Sequence, residues 1–243
     1  MPDSSLTPSG QTFDEVWAVA DRIPGWMTKA QAELLDEEAR RLPDGSSVLE
    51  IGSHQGRSTV VLGRVMKAKR GRVIAVDPFI DGKLFGGRKT RDSFEAHIAE
   101  AGVDDTVELV CDYSTEIRKS WDRPFQMLYI DGKHDYWTYS DDLKWRVHMP
   151  EGAPVLVHDC FSSIGVTLGT LLHVLPAKDL RYERRSGSMA LFRVGKPSAA
   201  DRLRILAEMP WWIRNVLVKV LLRLKLRSVA KVVFKHDSPY DPY

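Results

Sequence analysis

Near residue 50 the chain reads Ser47-Val48-Leu49-Glu50-Ile51-Gly52-Ser53-His54-Gln55-Gly56-Arg57-Ser58. The apolar run that ends at Ile51 predicts a strand covered on both faces, as in a parallel sheet. Gly52 and Gly56 predict a tight loop that approaches a ligand closely, because a Cβ at either position would collide with it. Ser58 predicts a helix start, whose free N–H groups favour electron-rich partners. The glycine spacing differs from the Gly-x-Gly-x-x-Gly of dinucleotide sites.

Alternating strands and helices are predicted downstream of this loop. Strands are expected at residues 72–77, 106–110, 125–131 and 153–159, and helices at 58–69, 91–101, 114–121, 139–147 and 170–175. Two adjacent runs at 180–185 and 188–194 predict a hairpin. The pattern predicts an α/β fold: a Rossmann-like, seven-stranded, mostly parallel sheet with a C-terminal antiparallel hairpin and helices on both faces. A dehydrogenase is disfavoured, because its second half would repeat the βαβ pattern.

Acidic residues follow several of these strands. Asp77, Asp131 and Asp159 each end an apolar strand, and Asp112 comes shortly after another. Ligands of open α/β sheets bind at the carboxyl ends of the strands, so we expect these carboxylates to line one site. Asp77 is expected to accept hydrogen bonds from ribose hydroxyls, and Asp112 is a candidate for contact with an adenine amino group. The structural alternatives are a helix cap for Asp77 and a turn for Asp112.

Length and composition fit one α/β domain with terminal additions, since 243 residues can bury a substantial core. The formal net charge of +2 does not point to a nucleic-acid partner. The two cysteines, Cys111 and Cys160, do not suggest a disulfide framework, so a reducing compartment is expected. Residues 1–10 lack the apolar core of a signal peptide, and no apolar stretch is long enough to cross a bilayer. These features predict a cytoplasmic protein.

The C-terminal residues have a different character. No acid occurs between Glu208 and Asp237, whereas seven bases do. Residues 201–209 predict an amphipathic helix that Pro210 ends, and a second helix follows in which bases recur every four or five residues and form a stripe. Basic amphipathic helices with tryptophan at one end are typical of segments that lie on anionic membranes. The alternative is packing on the domain or on a second copy, which would form a dimer.

Several motifs together resemble a known enzyme family. They are Glu50 to Ser58, Val76-Asp77-Pro78-Phe79, Tyr129-Ile130-Asp131-Gly132 with His134 and Tyr136, Asp142-Leu143, Gly152, and Val157-His158-Asp159. This set resembles the metal-dependent class I S-adenosylmethionine (SAM)-dependent methyltransferases and is most similar to the branch that methylates hydroxyls of sugars and natural products. The resemblance implies a methyltransferase domain at residues 26–196, an N-terminal extension at 1–25 and a basic amphipathic helical tail at 197–243.

The resemblance also implies the ligand sites. The SAM-binding residues would be Glu50, Gly52, Ser53, Gly56, Ser58, Asp77, Asp112 and Asp131. A divalent ion would lie beside the methyl group, held by Asp131 and Asp159. Relatives usually place an acid or amide next to the second aspartate, whereas this chain has His158 and Cys160 there. Because cysteine is a poor magnesium ligand, either His158 or water fills the third position, or no ion binds. Mg²⁺ is the expected ion, and imidazole would also suit Mn²⁺.

His134 and His158 are the candidates for a general base, since imidazole titrates near neutrality. With Asp131 they form the predicted catalytic group. The alternatives for His134 are contact with the adenine or the backbone. Those for His158 are metal ligation or a satisfied buried position.

Two segments are candidate lids. Residues 80–90 form a long connection with three glycines, which predicts a mobile substrate lid or a disordered insertion. Trp26-Met27-Thr28 resembles the cofactor lid of small-molecule O-methyltransferases, and the alternative is a hydrophobic staple under the next helix.

The predicted function is SAM-dependent O-methylation of a hydroxylated small molecule, with a saccharide or glycosylated metabolite as the expected acceptor. Trp137, Trp145 and the polar residues around Lys133 favour a sugar, which binds to carboxylates and indoles, over an aromatic acceptor, which needs an apolar slot. The alternatives are a catechol-like or polyketide O-methyltransferase, or a non-catalytic protein on the same fold that binds a membrane or a partner.

Overall fold

The computed structural model describes residues 11–82 and 86–237. Within them one sheet contains seven strands: β1 Ser47–Ile51, β2 Arg72–Val76, β3 Val107–Val110, β4 Met127–Ile130, β5 Pro154–Val157, β6 Leu180–Ser186 and β7 Met189–Val194. The strand order is β3-β2-β1-β4-β5-β7-β6. The first five strands are parallel, β7 is antiparallel to β5, and β6 is antiparallel to β7. The predicted Rossmann-like sheet with a C-terminal antiparallel hairpin is therefore confirmed.

Helices cover the sheet. The described α-helices are α1 Phe13–Ala20, α2 Lys29–Arg41, α3 Arg57–Ala68, α4 Arg88–Glu100, α5 Ser114–Ile117, α6 Tyr136–Asp142, α7 Ile164–Gly169, α8 Ala199–Ala207, α9 Met209–Arg223 and α10 Arg227–Phe234. Successive β1 residues point to opposite faces: Val48 joins a core cluster with α1, α2 and α3, and Leu49 joins a second cluster on the other face. Both side chains are fully buried, so helices lie on both faces, as predicted.

The strand order reverses between β1 and β4, which creates the crevice where ligands of such sheets bind. Backbone hydrogen bonds continue the ladder past the carboxyl ends of the strands. The amide of Gly52 donates to Val76 at 2.9 Å, that of Asp131 to Ile51 at 2.8 Å, and that of His158 to Ile130 at 2.9 Å. These bonds bring the residues that follow β1, β4 and β5 to one edge of the sheet.

The termini of some elements differ from the prediction. Helix α6 begins at Tyr136, three residues early, because Asp135 accepts hydrogen bonds from the amides of Trp137 and Thr138 and caps the helix. Residues 164–169, which lie before the helix predicted at 170–175, form α7. Helix α4 begins at Arg88, inside the predicted 80–90 lid. Lys83 in that lid and the segment 1–10 lie outside the described residues.

The tail also departs from the prediction. The single basic helix expected after Pro210 is divided into α9 and α10, because Lys225 adopts a left-handed conformation with φ of 60°. The bases are therefore divided between two helices and do not form the predicted stripe along one. Among the residues described, no helix has both the length and the apolar character needed to cross a membrane.

Candidate active site

Glu50 organises the loop after β1 from the inside. Its side chain is fully buried and accepts hydrogen bonds from the hydroxyls of Ser53 at 2.9 Å, Ser58 at 2.5 Å and Thr59. Burial raises the pKa of this carboxyl to about 7, against the opposing effect of the three hydroxyls. The predicted residues Glu50, Ser53 and Ser58 thus bond to one another through their side chains. Thr59, which the sequence analysis missed, completes the set from the first turn of α3.

The two loop glycines have conformations that suit glycine. Gly52 has a φ of 86°, and a Cβ there would lie 2.3 Å from the backbone carbonyl oxygen of Asp131. Gly56 has a φ of 93°, and its Cβ would lie 3.2 Å from the ring of Phe94. The crowding that a Cβ would meet therefore comes from β4 and α4, whereas the sequence analysis attributed it to a ligand. Glycine lets the loop pack directly on the end of β4.

Asp77 lies beside this loop at the end of β2. Its Oδ2 accepts hydrogen bonds from the amides of Ser53 and His54, both at 3.0 Å, and its Oδ1 accepts one from the amide of Phe79 at 2.9 Å. A carboxylate offers about four lone-pair positions, so Asp77 retains capacity for a hydroxyl donor. This partly exposed acid next to a glycine loop fits a ribose. Asp112 is exposed, and its Oδ1 accepts a hydrogen bond from the amide of Tyr113 at 2.7 Å.

Arg57 ties the segment before α2 across the glycine loop. Its guanidinium donates hydrogen bonds to the carbonyl oxygens of Ile23 at 2.8 Å and of Gly25 and Met27 at 3.0 Å. The ring of Trp26, which is 47% exposed, lies 5.3 Å from the ring of His54 in the loop. The candidate cofactor lid is thus held over the loop. Sequence reasoning missed Arg57, because no local pattern indicates that it contacts residues 30 or more positions earlier.

Two histidines and two aspartates form a cluster at the ends of β4 and β5. Asp131 Oδ1 lies 3.1 Å from His158 Nδ1 and 3.3 Å from His134 Nε2. His134 Nδ1 lies 3.2 Å from Asp159 Oδ2, so His134 bridges the two acids. Asp131 Oδ2 accepts a hydrogen bond from the Tyr129 hydroxyl at 2.9 Å. The structure therefore brings together all the predicted catalytic and metal-ligating residues.

The charges of this cluster compensate one another. Burial acts to lower the pKa of His158, but the attraction of Asp131 and Asp159 outweighs it and raises the pKa to about 9. Burial likewise acts to raise the pKa of Asp131, but the two histidines hold it well below its usual range. The pKa of His134 is raised, because its hydrogen bond to Asp131 and the charge of Asp159 outweigh burial. The acids thus favour protonated imidazoles near neutral pH.

Two buried residues support the cluster from behind. Gln31 on α2 donates from Nε2 to the Ser188 hydroxyl at 3.0 Å, and its Oε1 lies 3.4 Å from His158 Nε2. Ser188 donates to Asp159 Oδ1 at 3.2 Å. Sequence reasoning missed both residues. The one available signal was that Gln31 is the third residue of its helix, where glutamine is typical of a capping box with Thr28.

The cluster fits a divalent metal ion. Asp131, His134 and His158 can each offer one ligand atom, with all three atoms within 4.8 Å of one another. Asp159, which was also a predicted ligand, lies farther from His158 than Asp131 does. Its Oδ1 is 3.8 Å from His158 Nδ1, whereas Asp131 Oδ1 is 3.1 Å from that nitrogen. One carboxylate and two imidazoles suit Mn²⁺ or another transition ion better than Mg²⁺, which prefers oxygen ligands. The donor set therefore shifts the expected ion from Mg²⁺ towards Mn²⁺.

The two tryptophans that favoured a sugar acceptor have different environments. Trp145 is fully buried, with its ring 5.1 Å from that of Trp121, so it cannot contact an acceptor. Trp137 is 79% exposed at the start of α6, and its ring lies edge-on to Tyr136 at 4.9 Å. Only Trp137 of this pair is available to a ligand.

A family model and solved structures match this architecture. A methyltransferase domain family matches residues 49–160, slightly less than half of the chain. The Bacillus cereus O-methyltransferase in complex with S-adenosylhomocysteine (SAH) is 20% identical, with a TM-score of 0.55 over 75% of this chain and 90% of that one. The SAM-bound O-methyltransferase TomG of Streptomyces achromogenes, involved in tomaymycin synthesis, is 21% identical, with a TM-score of 0.54 over 75% and 89%.

A third structure extends the fold similarity to more of the chain. The SAH-bound methyltransferase PaMTH1 of Podospora anserina is 13% identical, with a TM-score of 0.60 over 81% of this chain and 89% of that one. The identities are low, so the solved structures establish a shared fold. The domain match adds that residues 49–160 are similar to a methyltransferase domain.

Proposed function

We propose that this protein transfers the methyl group of SAM to a hydroxyl of a saccharide or glycosylated metabolite, with a divalent ion bound at the Asp131 cluster. One observation carries the proposal: the glycine loop with Asp77 and the cluster of Asp131, His134 and His158 lie at the same edge of the sheet. A methyl donor and an acceptor hydroxyl must meet within a few ångströms for transfer, and this edge offers both sites side by side.

The donor side consists of the loop and Asp77. When bound, SAM supplies an electrophilic methyl group. The Asp77 carboxylate orients the ribose, the amides of the loop define the floor of the site, and Asp112 is the candidate for the adenine. Glu50 and Ser58 act indirectly in this proposal, since they hold the loop through their mutual hydrogen bond. Trp26 and Arg57 close the site from above.

The acceptor side consists of the cluster. A divalent ion, when bound by Asp131, His134 and His158, lowers the pKa of a hydroxyl beside it. Asp159 orients His134 through Nδ1, and the buried His158 positions the Asp131 carboxylate. Where no ion is bound, His134 in its neutral form, which requires a pH above its raised pKa, is the residue that accepts the hydroxyl proton. Its side chain is 38% exposed, whereas that of His158 is 3% exposed.

The acceptor class rests on the polar edge and on Trp137. An exposed indole beside carboxylates and Lys133 suits a sugar ring, which stacks on an aromatic face and donates hydroxyl hydrogen bonds. A catechol-like or polyketide acceptor is the second candidate. Cys111 and Cys160 are both free thiols, which supports a location in the reducing cytoplasm.

Calorimetry with SAH tests the donor site. We expect Asp77→Asn to weaken SAH binding roughly 10- to 100-fold, because a charge-assisted hydrogen bond to the ribose is lost. Asp105→Asn is the matched control, since Asp105 lies before β3 at the opposite edge and pairs with Lys67. If the wild-type protein does not bind SAH, the non-catalytic interpretation replaces the enzyme.

Turnover with labelled SAM and a panel of sugars, phenols and lipids tests the acceptor and the ion. We expect a chelator to lower the rate and Mn²⁺ to restore it better than Mg²⁺, with the restoration lost in His158→Ala. A rate that is unchanged by the chelator, but lost in His134→Ala, would assign the chemistry to the histidine alone. Methylation of phenols without sugars would favour the second acceptor class.

A further inference from the structure

Helix α9 has apolar side chains on two opposite faces. Val218 on the inner face is fully buried. The opposite face exposes Ile213, Leu217, Val220 and Leu224, which are 46–63% accessible. Their spacing of four, three and four residues places them in one stripe along the helix. A helix that is apolar on both sides needs a partner on each, and within residues 11–82 and 86–237 the fold covers only the inner face.

Helix α10 directs its apolar face away from the domain. Val232 is 81% exposed, Val233 62% and Val229 41%, whereas the small residue Ala230 is buried against the protein. A surface helix of a globular domain ordinarily buries its larger apolar side chains. The exposed apolar residues of the two helices form the tail face: Ile213, Leu217, Val220 and Leu224 on α9, and Val229, Val232 and Val233 on α10. An exposed apolar surface of this kind marks a site of interaction with a protein or a membrane.

Basic residues border the tail face. The segment between Glu208 and Asp237 contains seven bases and no acid. Arg223, Lys225 and Arg227 are exposed where α9 meets α10, and Lys231 is exposed on α10. At 3.6 residues per turn, Lys219 and Arg223 lie along one flank of the α9 stripe. Lys231 pairs with Asp237 at 2.8 Å, so the tail face combines aliphatic side chains with a predominantly positive charge.

We propose that the tail face docks on a membrane surface that contains anionic lipids. The aliphatic residues would enter the boundary between headgroups and acyl chains, and the bases would pair with lipid phosphates. A second copy is disfavoured as the occupant, because a two-fold interface would bring the same bases of both subunits together, and Asp237 beside them already pairs with Lys231. A nucleic acid would satisfy the bases but would leave the valines and leucines exposed. This surface lies outside the proposed catalytic machinery.

Co-sedimentation of the full chain with vesicles tests the proposal. We expect binding to vesicles of phosphatidylcholine mixed with phosphatidylglycerol and not to phosphatidylcholine alone. The triple variant Arg223→Gln, Lys225→Gln, Arg227→Gln should bind about 100-fold more weakly, at roughly fivefold for each base. Lys29→Gln, Arg70→Gln, Lys119→Gln removes the same charge from exposed positions on the domain and should bind like the wild type.

The double variant Val232→Asn, Val233→Asn separates apolar docking from charge attraction, because it removes apolar surface without changing the net charge. We expect it to lose vesicle binding while it keeps SAH binding, which shows that the domain is folded. Retained vesicle binding by this variant, or no binding by the wild type, overturns the proposal. So does a concentration-dependent dimer, seen by analytical ultracentrifugation, that this variant dissolves. Failure of the catalytic proposal would instead appear as a wild-type protein that does not bind SAH.

Discussion

At the scale of single residues, the cluster at the ends of β4 and β5 depends on matched charges. Each histidine lies within 3.3 Å of a carboxylate oxygen, and His134 contacts both acids. Placing a buried imidazole between acids opposes the cost of desolvation and keeps the proton on the ring. The proton affinity of His134 is thus controlled by its neighbours.

The pKa of His134 should therefore respond to Asp159. In protein treated with a chelator, we expect an NMR titration to place this pKa above 6.5 and to show a lower value in Asp159→Asn. Asp112→Asn is the control, because Asp112 is exposed and its carboxylate accepts a hydrogen bond from the amide of Tyr113. If the His134 pKa is equal in the wild type and in Asp159→Asn, the 3.2 Å contact between His134 Nδ1 and Asp159 Oδ2 does not affect that pKa.

Glu50 should make stability depend on pH. Its pKa is raised by burial from 4.5 to about 7, so the unfolded chain loses this proton first as the pH rises. The contribution of Glu50 to the free energy of unfolding is fully present below pH 4.5 and is lost as the pH rises through 7. We expect urea unfolding to show that the fall in stability across this window is about 3 kcal/mol smaller in Glu50→Gln than in the wild type.

Glu108→Gln provides the control for this prediction. The pKa of Glu108 is lowered, because Arg123 donates hydrogen bonds to its carboxylate, so its linkage has the opposite sign. The fall in stability between pH 4.5 and 7 should persist in that variant. A fall of equal size in Glu50→Gln would assign it to another group, such as Asp142, whose pKa burial also raises to about 7.

At the scale of elements, the loop between β1 and α3 depends on its contact with the end of β4. The amide of Asp131 donates to Ile51, and Gly52 packs on the backbone of Asp131 and Gly132. The donor loop and the acceptor cluster are thus parts of one backbone junction. A disturbance of the loop should reach Asp131 without any change to its side chain.

Gly52→Ala tests this junction. The left-handed conformation alone should cost about 1–2 kcal/mol, and the 2.3 Å contact with Asp131 should add about 1–3 kcal/mol. Gly45→Ala is the matched control, because Gly45 has a φ of 76° with nothing within 4 Å of its Cβ position. We expect urea unfolding to show the larger loss for Gly52→Ala and calorimetry to show weaker SAH binding. Equal losses in the two variants would show that the junction tolerates the methyl group.

At the scale of the whole molecule, the tail is joined to the outer strand of the sheet and to the segment behind the site. Glu208 accepts hydrogen bonds from Tyr182 at 2.8 Å and from Arg185 at 2.7 Å. Asn215 is fully buried and donates to the carbonyl oxygen of Phe161 at 3.3 Å, two residues after Asp159. The helices after residue 197 therefore form part of the folded body.

Glu208→Gln should loosen the tail. We expect it to cost about 1–3 kcal/mol, because the charge-assisted bond from Arg185 is lost, and to speed amide hydrogen exchange in α9. Glu183→Gln is the control, since Glu183 pairs with Arg193 inside the hairpin. Unchanged exchange in α9 would show that the apolar contacts hold the tail without this ion pair.

The sequence by itself determined the sheet and the row of acids at its edge. Apolar runs that end in Asp77, Asp131 and Asp159 are local patterns in the sequence. Parallel strands place their carboxyl ends at one edge of the sheet, so the acids come together there whichever residues follow them. The glycine loop and His158 were predictable for the same reason, because each directly follows a strand, whereas His134 lies four residues after the end of β4.

Only the tertiary structure decided which residues complete the cluster and which face of the tail is free. Gln31 and Ser188 lie 157 positions apart and meet because α2 packs on the hairpin, a contact that no local pattern encodes. The sequence analysis gave Trp145 and Trp137 the same role, but packing buries the first and exposes the second. Burial and long-range pairing depend on how the layers pack together, so spacing along the chain could not reveal them.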